Sequence, residues 1–151
     1  MPEILIATDS DRVAQHVEAA LGGADTTFVR CTSGKAVLAA VGVHRPDLAL
    51  LDLQMGNMGG MATCMALRNE HSGGRLPAVP VVMLLDRTAD VFLARRSGAE
   101  GWLVKPLDAL RLRRAATAVR AGGTYTDASM EPAPAEPATG ESAGTAAVAA
   151  G

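Results

Sequence analysis

Five short apolar runs, each followed by a segment of helical periodicity, leave this chain few folds to adopt. The runs are EILIA at 3–7, TTFVRC at 26–31, DLALLDL at 47–53, VPVVMLL at 79–85 and WLV at 102–104. Strands covered on both faces read as continuous apolar stretches, and parallel neighbours need long crossovers, usually helical. The intervening segments supply them. Val13, Val17 and Leu21 share one helical face, and KAVLAAVGV follows the turn Thr32-Ser33-Gly34. Met61, Cys64 and Met65 make an i, i+3, i+4 stripe on a third helix, ahead of a loop, NEHSGGRLPA. A short fourth helix around DVFLARRSG ends at Gly98, and DALRLRRAATAVRA forms a fifth with Ala109, Leu112, Ala116 and Val119 inward. This alternation predicts an α/β fold, a five-stranded parallel sheet doubly wound by helices.

Composition narrows the class further. With 151 residues, 48% of them hydrophobic, the chain can build one real core. No apolar run approaches the roughly 18–20 residues of a membrane span. The amino terminus lacks a basic region ahead of its apolar stretch, so the cytoplasm is the expected location. Cys31 and Cys64 read as reduced core thiols, and His16, His44 and His71 lack metal-ligand spacing. Near residue 121 the composition changes. Residues 1–120 read as the folded domain, with a net charge of +2, and 121–151 as a Pro, Ala and Gly-rich acidic tail of −4. Such a tail has too little apolar surface to offset its ordering entropy, so it is expected to be disordered unless a partner holds it.

Three charged residues stand at strand carboxyl ends, where doubly wound sheets place their functional groups. Asp9 follows the first run, Asp52 closes the core of the third, and Lys105 follows the fifth. An acid ending a buried strand needs a cation or donors nearby. An acid, a second acid able to ligate a metal, and a lysine together predict a phosphoryl-transfer pocket. As a mere capping or loop acid, Asp52 would not need that company.

ILIATD, VRCTSGKAVLAAV, PDLALLDLQMGNMGG, PVVMLL and SGAEGWLVKP occur in the order and spacing of a known family, and over residues 2–120 the chain resembles the receiver domain of bacterial response regulators. The resemblance implies a flavodoxin/CheY-like (βα)5 sheet of strand order 2-1-3-4-5, the order for which the receiver CheY is itself a standard example. It makes Asp52 the phosphoacceptor, whose carboxylate attacks phosphoryl carried by a donor histidine. Asp9 matches a metal-ligating acid, and Lys105 the lysine that pairs with phosphoryl, before a peptide bond to Pro106 that is usually cis in the family. A magnesium ion at Asp9 and Asp52 is implied, held weakly because Thr8 stands where the family has another acid. Asp11 is read as an acid suited to the first turn of a helix, not as a substitute ligand.

Other positions depart from the family pattern. Leu85 stands where a switch Ser or Thr is usual, Asp86 where a small residue is usual, and Thr88 lies too far on to replace that hydroxyl. Leucine offers no hydrogen bond, and an added carboxylate repels an incoming dianion. Gly56 and Gly59 loosen the loop MGNMGGM after Asp52. Trp102 takes the place of the switch Tyr or Phe and is expected to be fixed in one orientation, as an interface anchor or as a cover for the core edge. Gln54 and Arg87 occupy positions where the family tunes phosphoryl lifetime.

Arg95, Arg96, Arg111, Arg113, Arg114 and Arg120 lie on the last two helices. In receivers, helix four, strand five and helix five form a partner surface, so Arg95, Arg96, Trp102, Arg111, Arg113 and Arg114 are expected to face an acidic protein, with the near-neutral body disfavouring nucleic acid. No helix-turn-helix pattern follows residue 120, and a flavin-type role is set aside for want of a phosphate-binding first loop. The resulting expectation is an atypical stand-alone receiver of actinobacterial type. It would act without phosphorylation as a binding module or accessory subunit, by resemblance that of the respiratory NADH:quinone oxidoreductase at the cytoplasmic side of the membrane. The alternative is a working phosphoacceptor fed by a histidine kinase, with self-phosphorylation and self-dephosphorylation at Asp52 its only catalysis.

Overall fold

The chain folds as the alternation predicts, in a computed structural model that describes residues 2–56 and 58–126. Strands β1 (Glu3–Ala7), β2 (Thr27–Cys31), β3 (Leu48–Asp52), β4 (Val81–Leu85) and β5 (Gly101–Val104) form one sheet. Helices α1 (Asp11–Leu21), α2 (Gly34–His44), α3 (Gly60–Ser72), α4 (Val91–Ser97) and α5 (Ala109–Arg120) are the crossovers. The strand order is β2-β1-β3-β4-β5, all neighbours parallel. A 3-10 turn, Thr88–Asp90, leads into α4.

Strand periodicity divides the core in two. Leu5, Ala7, Ala49, Leu51, Val81, Met83, Leu85, Trp102 and Val104 face α2, α3 and α4, with Val37, Val41, Cys64, Leu67, Val91 and Ala94 against them. Ile4, Ile6, Leu48, Leu50, Val82, Leu84 and Leu103 face α1 and α5. Successive side chains of a strand point to opposite faces, so a strand covered on both sides must be apolar throughout. Burying one such Leu or Val contributes roughly 1.5–3 kcal/mol. All five residues of β3 are buried, which makes the charge at its end exceptional.

Helix starts follow local chemistry. The hydroxyls of Ser10 and Ser33 accept from the backbone N–H of Val13 and Ala36, and the Asp108 carboxylate from that of Arg111. Each such cap is worth about 1 kcal/mol. Gly98 ends α4 with φ 83°, a conformation glycine adopts without steric cost.

Three details differ from the sequence reading. The segment NEHS lies within α3, which continues to Ser72 because its polar residues face water while Cys64 and Leu67 hold the other side. The buried stripe of α3 is Gly60, Thr63, Cys64 and Leu67, leaving Met65 49% exposed. On α5, Ala115 is buried and Ala109, in the first turn, is exposed.

Beyond residue 120 the chain stays with the domain for several residues. Tyr125 bridges Gly101 in parallel, its N–H donating to the Glu100 carbonyl while its carbonyl accepts from Trp102 N–H. The rest of the expected tail, 127–151, lies outside the described residues. Among the described residues no helix is long and apolar enough to cross a membrane.

Candidate functional site

The carboxyl edge of the sheet brings Thr8, Asp52, Asp86 and Lys105 together. Each is the last residue of its strand or the first beyond it. Asp52 is buried, its side chain only 3% exposed. An isolated carboxylate in such a place would be strongly disfavoured. Here both of its oxygens are satisfied. Lys105 Nζ donates to Oδ1 at 2.9 Å, with the Gln54 backbone N–H at 3.3 Å on the same atom. Thr8 Oγ1 donates to Oδ2 at 2.8 Å. The Thr8 oxygen in turn accepts from Ser10 N–H at 3.1 Å, a chain in which each bond polarises the next.

Lys105 also reaches a second carboxylate, donating to Asp86 Oδ1 at 3.0 Å. Burial pulls its pKa down, but hydrogen bonds and charge from Asp52 and Asp86 outweigh that, and the ammonium is held above the ordinary lysine value. The Lys105–Pro106 peptide is cis, as the resemblance implies. Asp9 points to solvent, with neither a hydrogen bond nor an ion pair among the described residues.

Leu85 is fully buried and belongs to the α2–α3–α4 side of the core, so its side chain offers the pocket no polar group. Its carbonyl accepts from Lys105 N–H at 2.8 Å, tying the ends of β4 and β5 together. Beyond Asp86, Arg87 Nη2 donates to the buried carboxylate of Asp90 at 2.9 Å. Arg87 is held above its usual pKa by that hydrogen bond and the charge of Asp90, with burial opposing and Asp86 adding a little.

Trp102 is 6% exposed, and its Nε1 is buried without an acceptor among the described residues. The Arg95 guanidinium lies 5.5 Å from the ring centroid. Such a contact is worth roughly 0.5–1 kcal/mol at an exposed site. Because Trp102 is the only tryptophan, Arg95→Ala is expected to red-shift and change the intensity of the protein's fluorescence, with little loss of stability. Identical emission from the variant would mean that the guanidinium does not cover the ring in solution.

The structure redistributes the expected arginine face. Arg111 is turned inward, pairing with Asp108 at 2.6 Å and bonding the Val104 and Pro106 carbonyls. Arg113 reaches the Ala20 carbonyl at 3.4 Å, and Arg120 pairs with Asp47 at 3.2 Å. Arg96 and Arg114 remain at the surface. These guanidiniums close gaps at helix and strand ends, a use invisible to a count of charges. Sequence reasoning also missed the donor role of Thr8 and the pairing of Asp86. Both have a sequence signal, since each stands beside a strand end level with Asp52.

A parallel sheet of order 2-1-3-4-5 with helices on both faces defines the flavodoxin/CheY-like class, and here a carboxylate and a lysine meet at its carboxyl edge. The chain belongs to the response regulator receiver domain family, whose model matches residues 4–117. It is 37% identical over 105 residues to the DNA-binding response regulator MtrA of Mycolicibacterium smegmatis, across 68% of this chain and 43% of that protein. It is 30% identical over 107 residues to the transcriptional regulatory protein CseB of Streptomyces coelicolor, across 70% and 43%. The chain thus spans less than half the length of these curated relatives. The solved structure of the chemotaxis response regulator CheY4 of Vibrio cholerae matches with a TM-score of 0.69 and 27% identity, covering 79% of this chain and 98% of that one.

These relatives overturn the expectation of a phosphorylation-independent accessory subunit. They are named as response and transcriptional regulators, not as subunits of a respiratory complex. That expectation rests on the departures at Thr8, Leu85 and Asp86, yet of these only Leu85 leaves the pocket without a polar group. The pocket is organised around Asp52 and Lys105, and Thr8 and Asp86 take part in it.

Proposed function

We propose that this chain is a phosphoacceptor of a two-component phosphorelay, receiving phosphoryl from a histidine kinase onto Asp52. The observation that carries the reading is the buried Asp52 carboxylate at the end of β3, with the Lys105 ammonium 2.9 Å from one oxygen. A carboxylate oxygen attacks the phosphorus of a phosphohistidine, the P–N bond breaks, and imidazole leaves with the electron pair, forming an acyl phosphate. Lys105 holds the phosphoryl oxygens as negative charge accumulates. Thr8 keeps the carboxylate in one orientation without adding the charge a second acid would bring. A cavity of about 180 Å³ lined by Arg12, Val13, His16, Lys105, Pro106 and Leu107 opens beside the lysine and is a place for a partner's side chains. We place the protein in the cytoplasm, where such a kinase domain would meet it.

The oxygen donors of Asp9 and Asp52 suit a hard divalent cation, and magnesium commonly uses one or two carboxylates together with phosphate and water. Neutral Thr8 stands where the family has a further acid, so the site is a weak one. Asp9 and Asp52 are the residues that would hold magnesium, which would supply neutralisation of phosphoryl charge.

Incubation with acetyl phosphate, or with a phosphorylated histidine kinase domain, is expected to add one phosphoryl group, read by intact mass. Asp52→Asn is expected to abolish that addition. Labelling that persists in Asp52→Asn, or none in the wild type with either donor, would sink the proposal.

A further inference from the structure

Lys105 serves two carboxylates at once, and we propose that Asp86 is a positioning residue that holds this lysine partly away from an arriving phosphoryl group and is expelled when phosphoryl takes it. The inference rests on the phosphoacceptor reading of Asp52. Its basis is the three-membered contact itself: Asp52 Oδ1 at 2.9 Å and Asp86 Oδ1 at 3.0 Å from the same Nζ. The two acids differ in setting. The Asp52 side chain is 3% exposed and has Thr8 and Gln54 as further donors, whereas that of Asp86 is 38% exposed and has Lys105 as its one hydrogen-bond partner among the described residues. Asp86 is therefore the partner that can be given up to water at small cost.

Phosphoryl on Asp52 would replace a single negative charge by about two and add strong acceptor oxygens. The ammonium then turns fully to them, and Asp86 is left facing a like charge. Leu85, on one side of Asp86, is locked in the core. On the other side, Arg87 and Asp90 are braced by their ion pair and by the Asp90 N–H to Arg87 carbonyl bond, just before α4 begins at Val91. Displacement of Asp86 therefore hinges at the Leu85–Asp86 junction and carries 87–90 and the start of α4 with it. Repulsion of a carboxylate does here what a hydroxyl would do by attraction, so Leu85 need supply no hydrogen bond.

The test uses the full chain with Asp86→Asn, which keeps the shape and removes the charge, and Asp86→Glu, which keeps the charge. Affinity for beryllium fluoride with Mg²⁺ is measured by titration, alongside backbone NMR shifts of residues 86–91. Asp86→Asn is expected to bind the mimic about tenfold more tightly, equivalent to about 1.4 kcal/mol, with smaller shifts at 86–91 than the wild type on binding. Asp86→Glu is expected to restore wild-type behaviour in both. Equal affinities in wild type and Asp86→Asn would overturn the role of Asp86 while leaving Asp52 as phosphoacceptor. Failure of the mimic to bind either protein would overturn the phosphoacceptor reading and this inference with it.

Discussion

Lys105→Ala is expected to lower the unfolding free energy by about 3 kcal/mol, the low end of the cost of orphaning one member of a buried ion pair. The low end applies because Asp52 keeps two neutral donors, Thr8 Oγ1 and Gln54 N–H. The pH dependence has a definite sign. The folded-state pKa of Lys105 is raised, so its contribution is complete below the unfolded lysine value of about 10.4 and is lost as pH rises through the higher folded value. Urea unfolding of the wild type should therefore show an alkaline loss of stability that Lys105→Ala lacks. A variant as stable as wild type at neutral pH would mean that the lysine does not stabilise Asp52. A cycle with Asp52→Asn separates the pair's coupling from the packing lost with the lysine's aliphatic stem.

Gly60→Ala is expected to cost about 3 kcal/mol, the upper part of the range for overpacking a filled site. Gly60 opens α3 beneath the pocket, and a Cβ there would lie 2.5 Å from the Asp52 carbonyl oxygen and 2.9 Å from both the Asp52 carbonyl carbon and Met83 Sδ. Methionine can yield, but the backbone of the central strand cannot do so without moving Asp52. The loss of stability should therefore come with weakened phosphoryl labelling. Gly56→Ala, where a Cβ meets nothing within 4 Å, is the control and should stay within about 0.5 kcal/mol of wild type. Denaturant midpoints of the two variants decide the matter, and equal midpoints would refute the packing argument.

How far the chain can be read without coordinates depends on what each residue's neighbours are. The strands were legible because apolar runs such as LALL and VVMLL are covered on both faces and need no context to be recognised. Asp52, Lys105 and their common edge followed from topology alone. The roles of Thr8 and Asp86 did not, since a hydroxyl or a second acid acquires meaning only from the atom it reaches across the sheet. Arg111 and Arg113 misled for a related reason. A guanidinium on a long stem can lie along a helix and bond carbonyls at its own or a neighbour's end, and periodicity places the stem but not the head. The end of α3 was missed because a polar helical turn facing water has the composition of a loop.

The seam at Tyr125 has a practical consequence for anyone shortening this chain. β5 is one of the two edge strands, and Tyr125 closes the amino end of its open side through two main-chain hydrogen bonds. Cutting after Arg120, where composition alone would draw the border, strips that cover and leaves Trp102 N–H without its acceptor. Uncovered strand margins are templates for self-association. A fragment trimmed there would bring a stickiness of its own making, which could easily be mistaken for dimerisation by the intact protein.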